Sequence, residues 1–191
     1  FMKRILITGG FGFVGGRLTR RLSDDYEVWV SSRLPVTEEM LRIHGNVRCI
    51  DHKLLLDQET FPAFIDDVIH LAAMNEIDCA KYPSAAIRVN VDETRILLEN
   101  SIAKKVSRFI YFSTAHIYGA PLQGTITEET LPAPSHPYAI THRAAEDYVV
   151  AATRKGRIRG TVLRLSNSFG APVSAEVNRW TLLTNDLCRQ A

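Results

Sequence analysis

A short apolar run, Arg4 to Thr8, breaks into Gly9-Gly10-Phe11-Gly12-Phe13-Val14-Gly15 and then into a helical pattern. Read from Gly10 the break is G-x-G-x-x-G; read from Gly9 it is G-x-x-G-x-x-G. Glycines at this spacing let a strand turn sharply into a helix, let the backbone approach a pyrophosphate, and let the helix pack close to the strand. The helix start adds unpaired N–H groups that suit an anion. Such a unit belongs to a parallel α/β sheet rather than to a helical bundle or a β-sandwich.

The rest of the chain keeps that rhythm. Strand patterns at Arg4 to Thr8, Glu27 to Ser31, Val47 to Asp51, Asp67 to Leu71, Arg108 to Ser113 and Gly160 to Leu165 alternate with helical ones. Val14, Leu18 and Leu22 fall on one helical face, and so do Ile87, Val91, Leu98 and Ile102. Right-handed crossovers between six such strands give an α/β doubly wound parallel sheet of Rossmann type, whose ligand crevice lies outside the carboxyl ends of the strands. Ala115 to Pro137, rich in Pro and Gly, reads as a long irregular loop of functional character. A final helical pattern starts at Ala175 and meets no stop signal, which leads us to expect residues 2–170 as the dinucleotide-binding domain and 171–191 as the truncated start of a C-terminal substrate lobe.

Composition narrows the classes further. With 191 residues, 46% hydrophobic, the chain has enough apolar content for a core, which excludes a disordered polymer. Lys and Arg number 23 against 21 Asp and Glu, with no like-charge run, so no nucleic-acid partner is expected. The first apolar run is too short for a signal segment, no stretch suits a bilayer, and three widely spaced cysteines suit a reducing cytoplasm. Neither His44, His52, His70, His116 nor His136 joins a ligand-spaced pair, so no metal is expected.

Cofactor choice is set where the second strand meets the ribose 2′ position. A carboxylate there would accept from a 2′-hydroxyl and repel a 2′-phosphate. Ser31, Ser32 and Arg33 stand there instead, and hydroxyls with a guanidinium can bind the phosphate, which favours NADP while leaving NAD possible. Ser113 and Thr114 end the fifth strand. Further on, Tyr138, His142, Ala145, Val149 and Ala152 share one helical face, a pattern that serves core packing as readily as paired chemistry.

These pieces in this order resemble the extended short-chain dehydrogenase/reductase family, the NAD(P)-dependent nucleotide-sugar epimerases and dehydratases. The resemblance is carried by Thr8 to Gly15, Asp51, His70-Leu71-Ala72-Ala73, Asn90-Val91, Ser113 to Gly119, Pro134 to Tyr138, Glu146 and Arg164 to Gly170. It implies that Asp51 and His52 sit at the adenine, and that Leu71, Ala72, Ala73 and Asn90 lie on the cofactor side. It implies that Ser113 meets the cofactor and that Thr114 bonds the reacting oxygen of a sugar nucleotide. Tyr138 would transfer the proton, and Ala115, His116 and Asn167 would face substrate. It also implies a homodimer through helices starting near Ser84 and Tyr138, with Ile102 and Val149 able to serve either interface or core.

One position departs from the family. Its pattern is Y-x-x-x-K, and here the lysine position is His142. A lysine there bonds the nicotinamide ribose and lowers the phenol's pKa by roughly two to three units. To do the same work His142 has to be charged, although its reference pKa is about 6.5. Two functions stay open: an epimerase, dehydratase or reductase using Tyr138, and a non-catalytic NADP-binding sensor or structural module on the same fold.

Overall fold

A computed structural model describes residues 2–32, 36–174, 176, 177, 179 and 182–190. In chain order the elements are β1 (Arg4–Thr8), α1 (Phe13–Leu22), β2 (Glu27–Ser32), α2 (Glu38–His44), β3 (Val47–Asp51), α3 (His52–Leu55), β4 (Asp67–His70), α4 (Glu76–Lys81) and α5 (Pro83–Ala86). A π-helical turn (Ile87–Asp92) leads into α6 (Glu93–Ala103), followed by β5 (Arg108–Thr114), a 3-10 turn (Ala115–Tyr118), α7 (Pro137–Arg154), β6 (Arg159–Leu165) and α8 (Leu183–Gln190). The strands form one parallel sheet in the order β3-β2-β1-β4-β5-β6. Chain direction reverses between β1 and β4, where Thr8 pairs with His70 in register, and ligands bind at such a switch point in doubly wound sheets.

Strand residues alternate between two cores. Leu6, Val68 and Phe109 point to one face, packed with Leu97, Leu98 and Val149, while Ile5, Ile7, Val28, Val30 and Ile69 fill the other. Helices cover both faces, so these strands read as continuous apolar runs, and their bounds lie within one residue of the expected ones. On α7, Ala145, Val149 and Ala152 join the first core as their spacing foretold. Val149 and Ile102 pack in this core. Among the described residues no helix is long and apolar enough to cross a membrane.

Two helical faces differ from expectation. On α1 the buried residues are Phe13, Gly15, Gly16 and Thr19, whereas Val14, Leu18 and Leu22 are half-buried. The helix lies too close to the sheet for larger groups: a Cβ on Gly10 would stand 2.7 Å from Val30 Cγ1 and 2.9 Å from Thr19 Oγ1. Ile87 is 58% exposed although Leu98 is 1% exposed. The π-helical turn between them widens the helical repeat and rotates Ile87 off the shared face. At the other end, α8 begins at Leu183, and Ala175 itself lies outside the described residues.

The outer strand β6 is fastened to α7 by close packing and charge. Gly160 N donates to Thr153 Oγ1 at 3.1 Å, and a Cβ on Gly160 would lie 2.8 Å from Val149 Cγ1. Arg164 meets buried Glu146 through Nε at 3.1 Å and Nη2 at 2.9 Å, while its Nη1 donates to Tyr118 Oη at 2.6 Å and to the Glu128 carbonyl at 3.3 Å. One guanidinium thus joins β6, α7 and the 119–136 loop. Leu163 and Phe169 remain exposed along this edge. Replacing Arg164 by Met should lower stability by about 3–5 kcal/mol, because Glu146 is left as a buried, weakly compensated charge. Urea unfolding should show much of that loss recovered in the double variant Glu146→Met/Arg164→Met.

Candidate active site

A cavity of ≈ 520 Å³ opens at the carboxyl ends of the strands. One wall is the turn from β1 into α1. There Gly9 takes φ +68°, its carbonyl accepts from Gly12 N at 2.9 Å, and a Cβ on Gly15 would collide with that same carbonyl oxygen. Side chains are excluded where the chain folds back on itself. Gly12 caps α1 without a side-chain bond, so no side chain occupies the first N–H groups of the helix.

The opposite wall is α7 with the end of β5. Pro137 stands at the first helical turn and His136 caps it, its Nδ1 accepting from Ala139 N at 3.4 Å. This start directs Tyr138 and His142 into the cavity wall beside Thr114. Burial pushes the Tyr138 phenol up to about 12, reinforced by Glu76, while the Thr114 hydroxyl and Arg179 act in the opposite direction. The His142 ring lies 4.5 Å from the Tyr138 ring, and its Nδ1 is 2.7 Å from the Tyr111 hydroxyl. Burial pulls His142 down to about 4, with His116 adding to the effect. Enclosed between two phenols, the imidazole is thus held neutral at neutral pH and does not carry the charge that the family's lysine would.

Among the described residues, four buried side-chain polar atoms lack a hydrogen-bond partner: Ser31 Oγ, His44 Nε2, Ser113 Oγ and His142 Nε2. All four residues line this one cavity. Leaving such an atom unpaired costs about 1–3 kcal/mol, so four in one place call for a ligand that supplies partners. Ser31 and His44 belong to the β2–α2 side, Ser113 and His142 to the β5–α7 side, and the glycine turn lies between. That disposition fits a dinucleotide, with polar demand at each end and an anion site in the middle.

Most of the expected site residues meet here. Gly9, Phe11 to Gly15, Ser31, Ser32, His52, Leu71 to Ala73, Ser113, Thr114, His116, Tyr138, His142 and Asn167 all line the cavity. Gly10 is instead packed between Val30 and Thr19. Asp51 is exposed and caps α3 by accepting from Lys53 N at 2.9 Å, while His52 pairs with Glu93 at 2.9 Å. Ala115 begins the 3-10 turn and does not line the cavity. Arg33 lies outside the described residues. His44, Glu76 and Arg179 line the cavity without having been expected there. His44 is the last residue of a short helix with no motif around it, and neither acidic Glu76 nor Arg179 carries a local signal.

Asn90 is buried beneath the cavity as a tie. Its Oδ1 accepts from Met74 N at 2.8 Å, its Nδ2 donates to Thr141 Oγ1 at 3.0 Å, and Thr141 donates to the Tyr138 carbonyl at 3.0 Å. Its carbonyl accepts from Thr94 Oγ1 at 2.8 Å, whose oxygen therefore accepts from His70 Nε2 at 2.8 Å. His70 Nδ1 is then free to accept from Thr8 Oγ1 at 2.5 Å, and Thr8 accepts from Ala72 N at 3.2 Å. Burial, with His52 and His142 nearby, pulls His70 down to about 3. Among the described residues no group of His, Cys, Asp and Glu is arranged to hold a metal ion.

Comparison with known proteins gives this geometry its setting. The sequence model of the NAD dependent epimerase/dehydratase family matches residues 5–184. Mouse (Mus musculus) dTDP-D-glucose 4,6-dehydratase is 30% identical over 188 residues, covering 89% of this chain and 52% of that protein. Arabidopsis thaliana UDP-arabinose 4-epimerase 1 is 29% identical, covering 87% and 43%. The chain thus spans about half the length of these relatives. Among solved structures, the UDP-glucuronic acid 4-epimerase of Bacillus cereus in complex with NAD superposes with a TM-score of 0.83 at 26% identity, covering 98% of this chain and 62% of that one.

The two neutral buried histidines make stability depend on pH. Unfolded, each titrates near about 6.5. Their folded values are lower, about 4 for His142 and about 3 for His70, so the unfolded chain binds more protons below that point. The contribution is fully present above about pH 6.5 and is lost as the pH falls toward those values. Between about pH 7 and about pH 5 each histidine should remove up to roughly 2 kcal/mol. Urea unfolding across that range should show a shallower decline for His142→Gln than for the parent.

Proposed function

Because the chain belongs to the NAD dependent epimerase/dehydratase family, we propose that it binds a nicotinamide dinucleotide in this cavity and acts on a nucleoside-diphosphate sugar, moving a proton through Tyr138. The observation that carries this reading is the set of four unpartnered polar atoms around one cavity that Tyr138 and Thr114 also line. When bound, the dinucleotide supplies a hydride donor or acceptor. The protein's own residues do the rest. The glycine turn and the start of α1 offer N–H groups to the diphosphate. Ser113 and His142 offer hydrogen bonds to the nearer ribose, and Thr114 with Tyr138 holds the reacting oxygen of the sugar. Tyr138 Oη carries the proton to or from that oxygen.

At the far ribose, Ser31, Ser32 and Arg33 favour a 2′-phosphate, so NADP is the preferred form and NAD the weaker one. Residues 2–170 form the dinucleotide domain in this reading, and 171–191 begin the substrate lobe. The protein works in the cytoplasm as a homodimer, for which exposed Ile87 and, on α7, exposed Ile140 and Tyr148 supply apolar surface.

Calorimetric titration of the full-length protein should give NADP at least about fivefold tighter binding than NAD, and Arg33→Ala should remove the difference; equal affinities in the parent would reject the preference. With dTDP-glucose and UDP-sugars as substrates, Tyr138→Phe should lower turnover by about 100-fold or more while leaving dinucleotide affinity unchanged. Binding of dinucleotide without turnover in the parent would favour the sensor or structural module instead.

A further inference from the structure

The replacement at His142 bears on which way the proton moves. Tyr111 is buried in β5, and among the described residues its hydroxyl has one hydrogen-bonding partner, His142 Nδ1 at 2.7 Å. A buried phenol whose only neighbour is a ring nitrogen satisfies its O–H by donating to it. Burial keeps Tyr111 protonated by pushing its pKa well above the ordinary tyrosine value. The proton of neutral His142 then sits on Nε2, the atom left without a partner in the cavity wall. His142 is thus a single uncharged donor.

Among the described residues the one positive charge that reaches the phenol from another element is Arg179, and it does not stand at the lysine's position on α7. Among the described residues no lysine lines the cavity, and Arg179 is its one arginine. Around Tyr138 stand Glu76 and Cys79 from α4, Thr114 from β5, His116 from the 3-10 turn, His136 and His142 from α7 and its cap, and Arg179. Glu76 opposes Arg179. The phenol rests protonated.

We propose that Tyr111 holds His142 as a neutral Nε2–H donor and that the site therefore uses Tyr138 as a proton donor, taking as substrate a nucleoside-diphosphate sugar that already carries a ketone. This rests on the dinucleotide-binding reading above. In the step, the Tyr138 O–H bond breaks and its proton passes to the carbonyl oxygen. The carbonyl carbon gains a hydride from a reduced nicotinamide dinucleotide, which is left oxidised, and the C=O becomes CH–OH. The phenolate regains its proton from solvent. An earlier oxidation or dehydration of the sugar must supply the ketone. The opposite direction needs Tyr138 as phenolate, which this environment disfavours.

Nitrogen-15 NMR of the histidine-labelled, full-length protein saturated with NADP tests the tautomer directly. The resonances that His142→Gln removes should report a neutral ring protonated at Nε2 near pH 7; an imidazolium there, or a proton on Nδ1, overturns the proposal. Tyr111→Phe should shift the His142 signals away from that single tautomer, and no change would overturn the role given to Tyr111. In turnover, the parent with NADPH should reduce dTDP-4-keto-6-deoxyglucose at least about tenfold faster than the parent with NADP oxidises dTDP-glucose, and His142→Lys should narrow that ratio. A parent that favours oxidation overturns the proposal alone. Failure to bind either dinucleotide by calorimetry overturns the functional reading beneath it.

Discussion

Thr8 and His70 end the two strands between which the sheet reverses, and the imidazole between them is enclosed completely. A buried histidine is tolerable only if both ring nitrogens are satisfied, and Thr8 and Thr94 do that with one consistent set of protons. The chain of bonds then continues to the Asn90 carbonyl, and from the Asn90 side chain to Met74 and Thr141. It therefore ties the loop after β4, which also lines the cavity, to the helix that carries Tyr138. Hydrophobic packing can hold sheet and helices together at many small offsets, whereas directional bonds select one. The spacing of that loop from α7 depends on this buried polar line.

The π-helical turn belongs to the same device. Asn90 lies within it and uses both its carbonyl and its side chain. Widening one turn exposes Ile87, so a residue that the sequence pattern assigns to the core is given up to place a polar one. Arg164 does comparable work at the outer edge, where five donor contacts to two acceptor groups and a phenol fasten a long loop that has little regular structure.

Much of this was legible in the sequence. Parallel strands buried on both faces announce themselves as apolar runs, which is why Arg4–Thr8 matches its expected bounds. The glycine turn was legible because its constraints are local: Gly15 has to pass the Gly9 carbonyl whatever surrounds them. The shared face of Tyr138 and His142 follows from helical spacing alone. The state of His142 was not legible, since a charge depends on enclosure by Tyr111 from a distant strand. His44 reaches the cavity only because α2 folds back beside Phe11, with ring centroids 5.0 Å apart. Asp51 and Asn90 have the residue types expected at a cofactor site, yet their side chains serve a helix cap and a buried tie.

The outer position of β6 affects how the chain behaves in a crowded solution. Among the described residues β6 has no neighbour beyond it, and a strand so placed presents N–H and C=O groups on one side as a template for a further strand. Here that edge carries exposed Leu163 and no proline from Arg159 to Leu165, and with a net charge of +2 the chains repel one another weakly. Edge-to-edge addition, sheet extending sheet, is thus a route that β6 leaves open among the described residues. A lysine on the outward face of β6 would blunt it without touching the cavity.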